Sequence, residues 1–152
     1  MNRIQTIILA AAASALSIAS PAIWAHGDAP DAQPARHGGQ IRMAAVNHFE
    51  LVVAKDSKDA KDNPVIVYVT DRAGLKVSTA GASGTATIVS GTTKVTAPLV
   101  ADGDNRLKGT ANYASSPSLK VVVSIALSGK ASGQARFTPL AIEKVENAGH
   151  KH

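Results

Sequence analysis

The sequence predicts an all-β domain: an antiparallel β-sandwich of the Ig-like or transthyretin-like kind, with seven to nine strands. Three observations carry this. From residue 40 onward the apolar residues recur with a period of two, which is the period of a half-buried strand. Turn clusters punctuate the chain every 8 to 12 residues or so, as in sandwiches and barrels. No stretch after the first 25 residues shows the 3.6-residue period of an amphipathic helix. About 100 patterned residues favour a sandwich over a larger closed architecture.

The elements follow in order. "QIRMA" (40–44) and "HFELVVA" (48–54) read as the first two strands. "PVIVYVT" (64–70) is the strongest strand signal, being rich in β-branched residues. "LKVS" (75–78), "GTATIVS" (84–90), "KVTAPLV" (94–100), "NRLKGTA" (105–111), "LKVVVSIAL" (119–127) and "QARFT" (134–138) complete the set. The clusters "KDSKDAKDN", "DRAG", "TAGASG", "SGTT", "ADGD", "SSPS" and "SGKASG" separate them. Pro98 falls inside a strand pattern and predicts an edge or a bulge, because proline lacks the N–H a ladder needs.

The ends divide differently. Residues 1–25 have the form of an export signal: Arg3, an apolar Ala-rich run from Ile4 to Ala19, then the break at Ser20-Pro21. Cleavage is expected after Ala25 or after Ala22. The run is shorter than the roughly 20 residues a membrane span needs. A soluble, exported, periplasmic protein is therefore expected. Residues 26–39, "HGDAPDAQPARHGG", read as a flexible leader containing histidine, 40–139 as the sandwich, and 140–152 as a C-terminal tail.

Composition excludes several function classes. There is no cysteine, hence no thiolate metal site and no thiol catalysis. Removing residues 1–25 lowers the formal net charge from +5 to +4, since Arg3 is the only charged side chain among them. The lysines are scattered and aromatics make up only 3% of the chain, so the basic tracks with stacking aromatics that nucleic-acid binders use are missing. The sequence contains no H-E-x-x-H, no G-x-S-x-G and no phosphate-cradling glycine loop, and an enzyme is not expected.

The histidines raise the functional question. There are five, at positions 26, 37, 48, 150 and 152. A chain that begins at His26 presents an α-amine and an imidazole to one ion, a chelate suited to Cu(II) and also to Zn(II). His37, Asp28 or Asp31 completes the set, since the leader is flexible enough to bring any of them to the ion. His48 and Glu50 share one strand face and form a separate pair of candidate ligands. A three-residue turn at Ala45-Val46-Asn47 would set Met43 opposite Phe49, Ile41 opposite Leu51 and Arg42 opposite Glu50, with Asn47 left-handed. That register buries Met43, pairs Glu50 with Arg42 across the strands, and leaves His37 on the order of 20 Å from His48. The two histidines then meet only if the chain folds back at Gly38-Gly39.

Beyond this, "HGGQIRMAAVNHFELVVAKD", "VIVYVTDRAGLKVSTAGASGTATIVSG", "VTAPLVADGDNRLKG" and "ARF" resemble small periplasmic proteins associated with heavy-metal resistance and efflux systems. A His-Gly-Gly opening followed by a Glu-Leu-Val strand is also similar to the start of some adaptor subunits of metal efflux pumps. The likeness covers residues 37 to 137. It implies a metal-related setting and carries over to His37 first, then to His48 and Glu50. The chain also looks loosely like periplasmic copper-carrier sandwiches with an N-terminal histidine ligand, but it lacks their Met-rich loop. The expectation is a carrier of Cu(II) or Zn(II), bound reversibly by His26, His37, His48 and Glu50, with an efflux-pump adaptor as partner. The alternative is a non-metal module that docks on a cell-envelope protein through a sheet edge.

Overall fold

The computed structural model describes residues 33–142. Eight strands form: β1 Gln40–Ala44, β2 Asn47–Val53, β3 Lys61–Thr70, β4 Ser83–Ser90, β5 Thr93–Ala101, β6 Arg106–Tyr113, β7 Lys120–Ala126 and β8 Gly133–Phe137. All pair antiparallel, in the order β1-β2-β3-β6-β5-β4-β7-β8. The meander β4-β5-β6 is flanked by β3 beside β6 and by β7 beside β4, so two overlapping Greek keys share it. The period-two pattern does the sorting. Val65, Val67 and Val69 of β3, Leu51 of β2, and Val121, Val123 and Ile125 of β7 are completely buried. Each such side chain contributes roughly 1.5–3 kcal/mol by leaving water.

The eight strands make one continuous sheet that curls until its edges meet, which is barrel-like rather than a clear two-layered sandwich. At one end of the seam the Thr138 N–H donates to Gln40 Oε1 at 2.8 Å. At the other, a Cβ on Gly133 would lie 3.2 Å from the Ala44 carbonyl oxygen. Strand alternation reads the same in a sandwich and in a barrel, so the pattern by itself does not choose between them.

Eight of the nine expected strands form. The exception is 75–78, which makes one isolated bridge, Thr70 with Lys76. Asp71 explains this. Its Oδ1 accepts the N–H groups of Ala73 and Leu75 at 2.8 and 2.9 Å, and Gly74 turns with φ +79°. The chain then runs across the end of β3, whose partners are already β2 and β6.

The first hairpin differs from its expected register by one residue. Arg42 lies opposite Phe49, Met43 opposite His48 and Ile41 opposite Glu50, around a two-residue turn at Ala45-Val46. Ala45, not Asn47, is left-handed, at φ +56°. A one-residue slip moves every side chain of a strand to the other face. Met43 is consequently 40% exposed and Ala44 is buried. The narrow gap between Phe49 and Gly133 accepts an alanine there, where a methionine would overfill it. Arg42 makes no ion pair with Glu50; its Nη1 donates to the neighbouring Ile41 carbonyl at 2.9 Å. Pro98 lies in an interior strand, but the β5–β6 ladder pairs only Val100 with Lys108 and Ala101 with Leu107, so proline sits beside an interrupted stretch.

Candidate functional site

The slip places Ile41 on the same outer face as His48 and Glu50. Across the sheet, Ile41 is followed by Glu50, Tyr68 and Arg106 in one row, and Met43 by His48 and Thr70 in the next. Residues 36–39 fold over the first row, and Glu50 holds them there. Its Oε1 accepts the backbone N–H groups of His37 at 2.7 Å and Gly39 at 3.1 Å. Its Oε2 accepts the Arg36 N–H at 3.3 Å and lies 2.9 Å from His37 Nδ1. Glu50 is only 7% exposed. Burial pushes its pKa up, but the bonds from the His37 ring and from the Gly39 and His37 backbone outweigh burial and hold it below the ordinary value.

The two glycines explain why the fold-back is possible. Gly38 has φ +72°, a left-handed turn that costs glycine nothing. A Cβ on Gly39 would lie 2.4 Å from the Leu51 carbonyl oxygen, so only glycine lets the backbone approach β2 this closely. Lys55 Nζ then donates to the Gly38 carbonyl at 2.8 Å, and Gln33 Nε2 to the Arg72 carbonyl at 2.7 Å.

The imidazole of His37 is constrained twice. Nδ1 meets Glu50, and the ring lies flat on Tyr68, with 3.5 Å between centroids and 2° between planes. Tyr68 lies opposite Arg106 in the β3–β6 ladder, and the Arg106 Nη2 donates to Asp102 Oδ2 at 2.8 Å. His48 stands one row away, buried, with Nδ1 3.2 Å from the Asp71 carbonyl oxygen. His37, His48, Glu50, Tyr68, Ile41 and Arg36 line one cavity of about 110 Å³.

Of the four candidate ligands, three share this cavity: His37, His48 and Glu50. His26 lies outside the described residues, as do the export signal, Asp28, Asp31, His150 and His152. Among the described residues no group of three or more histidine, aspartate or glutamate side chains is arranged to hold a metal ion. Both oxygens of Glu50 are already engaged by N–H donors, whereas the His37 side chain is 40% exposed and no described residue bonds its Nε2. The described residues thus offer one oriented imidazole, and no complete set of metal donors is assembled among them. Sequence reasoning missed Tyr68. Its signal was present: an outward-facing aromatic on the strongest strand, among very few aromatics in the chain. No family model, no curated protein and no solved structure matches this chain.

Proposed function

We propose that this chain is a periplasmic carrier of a divalent transition metal, copper or zinc, which it buffers or delivers to an efflux system without performing chemistry on it. One observation carries the reading: the His37 ring is held in a fixed orientation by Glu50 and Tyr68 at the rim of the cavity it shares with His48. An imidazole tethered through one nitrogen is the usual form of a metal-ligating histidine. In this reading, cleavage after Ala25 frees the His26 amine and imidazole as further nitrogen donors, a set suited to Cu(II) or Zn(II). Ligands at a surface rim favour exchange with a partner such as a pump adaptor subunit, since a fully enclosed ion is released slowly.

Titration of the processed chain with Cu(II) and with Zn(II), by calorimetry and copper EPR, tests the reading. Binding tighter than about 1 μM, roughly −8 kcal/mol, weakened at least about tenfold by His37→Ala and by His26→Ala, supports it. Weak binding that neither substitution changes would sink it. A second reading, a module docking on an envelope protein through a sheet edge, is favoured by the β1–β8 seam. There Val46 is 62% exposed beside a cleft of about 260 Å³ lined by Phe49, Ile125 and Leu127. A metal-silent protein would leave that reading standing.

A further inference from the structure

We propose that Glu50 is not a ligand but the positioning residue of the site: it fixes His37 in the Nδ1–H tautomer, so that Nε2 is the atom that meets the ion. The inference rests on the carrier reading and deepens it. Its warrant is a count of donors around one carboxylate. Oε1 is filled by two backbone N–H groups, which can only donate. Oε2 takes a third backbone N–H, from Arg36, and faces Nδ1 at 2.9 Å. A carboxylate so surrounded stays ionised and has no proton to give. The hydrogen in the Nδ1 contact therefore belongs to the imidazole.

The consequence is geometric. With Nδ1–H bound to Glu50 and the ring plane set by Tyr68, neither the ring's rotation nor its tautomer is left open. The neutral ring then carries its lone pair at Nε2. In carboxylate–histidine–metal arrangements of this kind, losing the carboxylate typically weakens metal binding 10–100-fold. Direct ligation by Glu50 would require it to abandon up to four N–H donors, three of them backbone groups left beneath a folded-over segment.

A purely structural role, stapling residues 36–39 to β2, shares that tautomer but predicts no effect on metal affinity once the segment is in place. Long-range proton–nitrogen correlation spectra of the ¹⁵N-labelled processed chain, read without and with Zn(II), test both parts. In the metal-free protein at mildly alkaline pH, His37 is expected to show a protonated Nδ1 and an unprotonated Nε2. Zn(II) should move the Nε2 resonance. Glu50→Gln keeps one acceptor oxygen for the backbone N–H groups. It should lose the tautomer preference and bind Zn(II) about 10–100-fold more weakly. A protonated Nε2 in the metal-free wild type would overturn the proposal, and so would a Glu50→Gln protein that binds Zn(II) as tightly as the wild type. The tautomer is read without metal, so a wild type that binds no zinc would end the carrier reading while Glu50's hold on His37 is still decided by the spectrum.

Discussion

At the scale of single residues, two positions show how backbone and burial constrain this chain. Ala45 adopts φ +56°, where an L side chain costs roughly 1–2 kcal/mol relative to the right-handed region. Glycine removes that cost but has more freedom to lose on folding. Ala45→Gly is therefore expected to stabilise the protein by up to about 1 kcal/mol, measurable as a higher urea midpoint at unchanged slope. Tyr113 is the second position. Buried beneath the sheet, its hydroxyl donates to the Pro64 carbonyl at 2.6 Å and accepts the Ala54 N–H at 2.9 Å. Burial raises its pKa above the ordinary 10.0, and the Ala54 bond only partly offsets this. The folded state thus prefers the neutral phenol. Its contribution is fully present below the unfolded-state pKa and is lost as pH rises through the raised folded value. Thermal melts should fall steeply above about pH 10. Tyr113→Phe should cost roughly 1–3 kcal/mol at neutral pH, because it leaves the Ala54 N–H and Pro64 carbonyl without that partner, and it should flatten the alkaline fall.

At the scale of elements, the first hairpin decides the site. A period-two strand has only two possible faces, and a turn shorter by one residue exchanges them. With Ala45-Val46 as the turn, Ile41 lines the His37 cavity, and Ala44 fits against Phe49 and Gly133. The register can be checked by a pair of substitutions. Met43→Gln, at an exposed position, should change stability by less than about 0.5 kcal/mol. Ala44→Leu, at a buried one, should cost about 1–3 kcal/mol through overpacking. The reverse ranking would restore the three-residue turn, and with it the Arg42–Glu50 pairing. The same element logic accounts for 75–78. Its alternation is strand-like, but Asp71 builds a turn ahead of it and β3 has no free edge to offer.

At the scale of the whole molecule, the sheet closes on itself with a weak point at one seam. β1 and β8 lie side by side with no ladder between them, joined by the Gln40–Thr138 bond and by close packing at Gly133. β3 and β4, by contrast, are laddered on both sides. Local opening should therefore begin at the seam. Hydrogen exchange is expected to be fastest, among strand amides, in β1 and β8, and slowest in β3 and β4. Equal protection across all eight strands would mean that the seam is as firmly closed as the rest. Because β1 borders both the seam, through Ala44, and the histidine cavity, through Ile41, a partner that engaged the seam would also lie near the site.

The alternation of apolar residues determined the all-β class, the positions of eight strands and most of the buried core, because burial on one face demands a period of two wherever a strand forms. Residue type marked His37, His48 and Glu50 as the groups with chemistry to offer. Three things were decided only in the tertiary structure. A single curled sheet replaced two stacked layers, a difference that depends on strand order and not on alternation. The hairpin register was set by how much space Phe49 and Gly133 leave for β1. The meeting of His37 with Glu50 and Tyr68 required the chain to reverse at Gly38 and press Gly39 against β2. That contact spans only thirteen residues to Glu50, yet it depends on a close backbone approach that no local pattern reports.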